Sequence, residues 1–188
     1  MKDIDVRRAV HSKILKEHHK DPDTLVIDEF SLNQGLCRAD IAVINGIIHG
    51  YELKSERDNL LRLPNQIEQY SLVMDKVTLV VHDSHLLAAQ KIIPEWWGIK
   101  IVNQGGRGAI HIHNYRRDKL NPDGDVFSLA KLLWKDECLR IMEKWNILKG
   151  NKSKPRFELW DIIAQHTSLE KLKVEVRHTL KQRTTWKN

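Results

Sequence analysis

"RADIAVINGIIHGYELKSERDNLLRLPNQIEQY", residues 38–70, is the stretch on which the reading of this chain turns. Asn45-Gly46 lies between two apolar, β-branched runs, a strong hairpin signal that predicts strands over 38–44 and 47–55. Side chains alternate along a strand, so Glu52 and Lys54 share one face while Tyr51 and Leu53 share the other. Charged residues are seldom buried without partners, and a strand in this position should be buried. A two-residue turn would pair Ile44 with Ile47 and Asp40 with Tyr51, leaving Asp40 and Glu52 on opposite faces. Gly50 suggests the remedy. A bulge near His49-Gly50, or a three-residue turn with the same effect, would set Asp40 opposite Glu52.

Downstream, Leu60, Leu61, Ile67, Tyr70 and Val73 recur at helical spacing between Asp58 and Met74. Pro64 falls inside that pattern and predicts a kink or a late start near Leu63. Gln66 and Tyr70, four residues apart, lie on one helix face. The rest of the first 125 residues supplies a helix over 3–19, a strand over 24–30, an apolar strand over 76–82 and a helix over 84–93. Two further strands flank Gly105-Gly106-Arg107-Gly108. This order predicts a mixed sheet with flanking helices, an α/β core.

If Asp40 and Glu52 converge, their repulsion has to be neutralised. A hard divalent cation, Mg²⁺ or Mn²⁺, does so through carboxylate and carbonyl oxygens, with the Leu53 backbone carbonyl as a third protein ligand. Lys54 would then face a metal-bound water and a phosphate. The Gln66 amide and Tyr70 hydroxyl can hydrogen-bond phosphate oxygens or the groups that order the site. Arg57, Arg62 and, in the glycine-rich turn, Arg107 are candidate nucleic-acid contacts.

Asp40, then Glu52-x-Lys54 on the next strand, then Gln66-x-x-x-Tyr70 on the following helix, resembles the PD-(D/E)XK nuclease superfamily. The trailing glutamine and tyrosine resemble its RecB-type and phage exonuclease branch. The longer string, with "VTLVV", "IPEWWGI" and a C-terminal "LLWKDE", is similar to a bacterial and phage family within that superfamily. The resemblance implies a restriction-endonuclease-like fold, an αβββαβ core flanked by helices, and a DNA-hydrolysing function dependent on Mg²⁺ or Mn²⁺. It also implies a further acidic ligand upstream. Glu29 is favoured for that role over Asp28 and Glu17. The superfamily's proline before the aspartate is Ala39 here. A catalytically weak or inactive DNA-binding accessory protein on the same scaffold is the alternative, and a structural protein with a coincidental motif is the third reading.

Charge divides the chain. Residues 1–125 hold 17 Lys+Arg against 18 Asp+Glu, whereas residues 126–188 hold 14 against 7. The second part is therefore expected to be a basic helical C-terminal region appended to a core over 1–125, with DNA as its polyanionic partner. Helices are expected from Leu129 to Trp145, Phe157 to His166 and Ser168 to Arg183, with Thr167-x-x-Glu170 as a capping box and "KGNKSKP" as a basic linker. They read equally well as a separate bundle or as helices packed on the sheet. No apolar run is long enough for a transmembrane helix, no secretory signal is evident, and Cys37 and Cys138 fit reduced thiols. These features predict a cytoplasmic protein without a membrane partner, as a monomer or a homodimer. His111 and His113 read as polar strand-edge residues, and Trp96-Trp97 as one buried and one rim tryptophan.

Overall fold

The structure is a computed structural model describing residues 1–186, apart from the side chain of Arg107. Six strands form one sheet in sequence order: β1 (Leu25–Leu32), β2 (Cys37–Ile44), β3 (Ile48–Lys54), β4 (Lys76–His82), β5 (Gly98–Gln104) and β6 (Ile110–Arg116). β3, β4 and β5 run parallel, while β1–β2, β2–β3 and β5–β6 are antiparallel. The expected mixed α/β sheet with flanking helices is present. Helix α1 (Asp3–Ala9) precedes it, α2 (Leu63–Val73) joins β3 to β4, and α3 (Leu86–Gln90) precedes β5. After β6 come α4 (Val126–Ala130), α5 (Lys135–Lys144), α6 (Arg156–Gln165) and α7 (Leu169–Lys181).

The β2–β3 turn is where the sequence left two solutions, and the chain uses the longer turn. Ile44 pairs with Ile48, so Asn45, Gly46 and Ile47 make a three-residue connection, and Ile41 pairs with Tyr51. One step further along this register, Asp40 stands opposite Glu52. The bulge expected at His49-Gly50 is absent, since Val43 pairs with His49 and Ala42 with Gly50. Gly50 has another reason: a Cβ there would come within 3.3 Å of Met74.

Several helix boundaries differ from expectation. α1 ends at Ala9 and passes into a π-helical turn at Val10–Ile14. α2 starts at Leu63 with Pro64 in its first turn, where a missing N–H costs nothing. The segment expected as one helix from Leu129 to Trp145 is broken into α4 and α5. α7 is capped by Ser168, whose hydroxyl accepts from the Lys171 N–H, rather than by Thr167.

One core covers the sheet face carrying Ala42, Ile44 and Leu79, and it includes Leu133 of the α4–α5 connection, Met142, Trp160, Ile163 and Leu180. The C-terminal helices are therefore packed on the sheet. A smaller cluster on the opposite face joins Val6 and Val10 to Ile41, Leu53 and Val80. α7 is also pinned electrostatically. Buried Asp75 accepts from the Ile48 N–H at 2.8 Å and pairs with Lys173 at 3.0 Å and Arg177 at 3.7 Å. No helix among the described residues is long and apolar enough to cross a membrane.

Candidate active site

The hairpin register, the β3 alternation and the start of α2 together put five side chains at one end of the sheet. Glu52 and Lys54 are 1% and 4% exposed, so the charges suspected of being buried are buried. Their pairing explains why this is tolerated, because a buried charge without a partner costs several kcal/mol. Lys54 Nζ donates to Glu52 Oε1 at 2.6 Å and to Gln66 Oε1 at 3.2 Å. Gln66 Nε2 donates to the same Glu52 oxygen at 2.6 Å. The Tyr70 hydroxyl donates to Glu52 Oε2 at 2.5 Å. One turn of α2 thus presents both partners that the four-residue spacing placed on a common face. Tyr70 is fully buried and stacks on Trp97, with ring centroids 5.6 Å apart. Both Trp96 and Trp97 are buried, where one had been expected at the rim.

Asp40 occupies the other side of the site. Its Oδ2 accepts from the Leu53 N–H at 2.7 Å, which ties the two strands together at the carboxylate. Its Oδ1 accepts from Arg7 Nη2 at 3.2 Å, and its backbone carbonyl accepts from Arg7 Nη1 at 2.6 Å. Burial, followed by the negative charge of Glu52, pushes the Asp40 carboxyl up to about 7. Burial and the neighbouring carboxylate together outweigh the Leu53 N–H, Arg7 and Lys54, which act to lower it. Burial and Glu52 also raise the Cys37 thiol to about 11 and keep the Tyr70 hydroxyl protonated well above its usual range.

Glu29 lies across from Asp40 on β1, between the paired positions Asp28–Ile41 and Phe30–Ala39. Its φ of 54° is left-handed, a conformation costing a non-glycine residue about 1–2 kcal/mol. The Glu29 carboxylate is 2.8 Å from Arg7 Nη2. Arg7 also approaches Asp3 and Asp28, each at 3.7 Å. Arg7 was not singled out in the sequence. Nothing in "DIDVRRAV" separates it from Arg8, and only folding brings it 33 residues along the chain to Asp40.

These groups line a cavity of about 470 Å³ whose walls include Arg7, Glu29, Asp40, Glu52, Lys54 and Gln66. Among the described residues, no group of three or more His, Cys, Asp or Glu side chains is arranged to hold a metal. Two converging carboxylates still fit Mg²⁺ or Mn²⁺, because such ions accept one or two protein carboxylates and keep several waters. Both carboxylates line the cavity from adjacent strands, so an ion entering it would meet an oxygen donor from each. Asp40, Glu52 and the Leu53 carbonyl would hold it. Glu29 could join only by leaving Arg7.

Of the other candidates, Arg62 lines the same cavity, and exposed Arg57 lies in the preceding loop. Arg107 falls in the turn Gly106–Gly108, and its side chain lies outside the described residues. His111 and His113 are exposed and stack on each other, 6.3 Å apart.

No solved structure matches this chain. The chain is 23% identical over 161 residues to "Protein cII" of Enterobacteria phage P4, an alignment covering 86% of this chain. It spans 60% of that relative's length. The family model described as bacteriophage P4 protein cII matches residues 3–188, and the chain belongs to that family.

Proposed function

We propose that this protein is a metal-dependent nuclease of the PD-(D/E)XK type, hydrolysing phosphodiester bonds in DNA. One observation carries the reading. Asp40 and Glu52 stand opposite each other on adjacent strands, with the Lys54 ammonium 2.6 Å from Glu52, inside a polar cavity. A bound Mg²⁺ or Mn²⁺ would supply a water of lowered pKa and polarise the phosphoryl oxygen. Lys54, whose ammonium lies beside Glu52, would hold a phosphate and offset the negative charge that builds on it during displacement. Gln66 and Tyr70 fix the Glu52 carboxylate through both oxygens, so they act as positioning residues. Arg38 and Arg62, exposed along the cavity, offer contacts to the DNA backbone.

The test is cleavage of linear, circular and single-stranded DNA with Mg²⁺ or Mn²⁺, comparing wild type with Glu52→Gln and Lys54→Ala. Thermal melts should confirm that each variant is folded. Loss of cleavage in both variants supports the reading, and equal cleavage by either one ends it.

A second reading rests on a different feature of the same site. Glu52 already receives Lys54, Gln66 and Tyr70, and Asp40 receives Arg7 and the Leu53 N–H. Acids satisfied this fully suit a DNA-binding accessory protein with little catalysis. Salt-sensitive DNA binding without cleavage in either metal would favour it.

A further inference from the structure

The turn between β1 and β2 holds an apolar side chain in solvent at the edge of the cavity. Leu36 is 79% exposed, yet it lines the cavity together with Arg38, Arg62 and Gln66. The turn that presents it is strained and braced. Asn33, Gln34 and Gly35 all adopt positive φ, at 46°, 59° and 91°. Asn33 donates to Gln69 of α2 at 3.0 Å and accepts from Lys131 at 3.2 Å, while Arg156 of α6 donates to Gln34 at 3.0 Å. Three separate elements therefore fix a turn whose tip leucine packs against nothing that would account for it. Backbone strain of this kind gathers at functional sites. A second leucine, Leu61, is 85% exposed and directly precedes Arg62, which lines the same cavity. Arg38, Arg57 and Arg62 are exposed and make no side-chain hydrogen bond or salt bridge with other described residues. The cavity lining thus combines the free guanidinium groups of Arg38 and Arg62 with bare Leu36, and exposed Leu61 adjoins Arg62 in the chain, a pairing suited to a polyanion that carries flat apolar faces.

We propose that Leu36 and Leu61 form an apolar wedge that enters the base stack of DNA at the cavity mouth, and that the protein prefers DNA in which a base is already unpaired. This rests on the DNA-cleaving reading of the same site. Proteins that open a duplex insert leucine and similar side chains between base steps while arginines hold the phosphates. An unpaired or mismatched base lowers the cost of opening and so gains affinity. The bracing by Lys131 and Arg156 gives the basic C-terminal region a part in the site, because it stiffens the wedge instead of binding DNA at a distance.

The experiment measures binding without cleavage, in chelator, using duplexes with 2-aminopurine beside either a paired or a mismatched base. For wild type the expected result is roughly tenfold tighter binding to the mismatched duplex and a several-fold rise in 2-aminopurine fluorescence. Leu36→Ala/Leu61→Ala should abolish both effects while holding affinity for the paired duplex within about twofold, because phosphate contacts are untouched. Both leucines are exposed, so folding is not at stake. Equal fluorescence in the double variant, or no discrimination by wild type, overturns the wedge whether or not the protein cleaves. Wild type that unstacks DNA but never cleaves it with Mg²⁺ removes the nuclease reading alone, and wild type that binds no DNA overturns both.

Discussion

Arg7 holds Asp40 twice, through the backbone carbonyl at 2.6 Å and the Oδ1 carboxylate oxygen at 3.2 Å. The same guanidinium holds Glu29 at 2.8 Å. An internal cation therefore occupies the side of the acid cluster that a divalent ion would approach. Since Asp40 Oδ2 is committed to the Leu53 N–H, Arg7 competes for the oxygen that remains. Arg7→Gln is expected to tighten Mn²⁺ binding roughly tenfold, which corresponds to about 1.4 kcal/mol. Titration calorimetry at mildly alkaline pH measures it. Unchanged or weaker binding would mean that Arg7 orients Asp40 and does not compete for it.

Asp40 also makes stability depend on pH. Its carboxyl, held up at about 7 by burial and by Glu52, binds its proton more tightly in the folded chain than in the unfolded one. A group raised in this way contributes stability that is complete below its unfolded value, near the usual ~3.9 for aspartate, and is lost as pH rises through about 7. Asp40→Asn removes the titration. The variant should therefore gain on wild type between about pH 5 and about pH 8, by a few kcal/mol at most. Added Mg²⁺ should return the advantage to wild type at the higher pH. Melting curves at both pH values, with and without the ion, read the difference. A gap that does not change with pH would mean that Asp40 carries no uncompensated charge.

Tyr70 supplies a buried donor that phenylalanine cannot. Removing it leaves Glu52 Oε2, on a side chain 1% exposed, without its 2.5 Å partner, while the stacking on Trp97 is retained. An unsatisfied buried acceptor costs about 1–3 kcal/mol. For a chain of this length, each kcal/mol lowers the melting temperature by about 2–4 °C. Tyr70→Phe is thus expected to melt several degrees below wild type, and Glu52→Gln/Tyr70→Phe should recover part of the loss because the charge has gone. Tyr70→Phe melting with wild type would remove the hydroxyl from the account.

The candidate site was legible because its parts are local. Glu52 and Lys54 follow from strand alternation, Gln66 and Tyr70 from helical spacing, and Asp40 from hairpin geometry with a single register choice left open. Glycine misled that choice. Gly50 has the local signature of a bulge, but Met74 crowds the position from the end of α2, and that contact depends on tertiary packing no local pattern encodes. Arg7 and the braced Leu36 turn were not legible for the same reason: their partners lie 33 residues away for Arg7 and 98 for Asn33 with Lys131. The C-terminal helices are legible one by one, but their docking is not, because amphipathic faces do not name the surface they cover. The break between α4 and α5 had no proline or glycine to announce it.

That docking carries the last prediction. α4 to α7 contribute Leu129, Met142, Trp160, Ile163 and Leu180 to the same core as the sheet, and Lys173 reaches buried Asp75 at 3.0 Å. Residues 1–125 alone would leave this apolar face in water and strip Asp75 of its cations. Such a fragment is expected to be insoluble or to lack a cooperative unfolding transition. The point variant is more discriminating. Asp75→Ala leaves the buried Ile48 N–H without its acceptor, a loss of about 1–3 kcal/mol, and leaves Lys173 with Glu170 alone at 3.2 Å. Hydrogen exchange should show α7 losing protection first, with the β2–β3 hairpin following, since Asp75 links the two through Ile48. Protection of α7 equal to wild type would mean that apolar packing, and not the Asp75 charge, fastens the helix to the sheet.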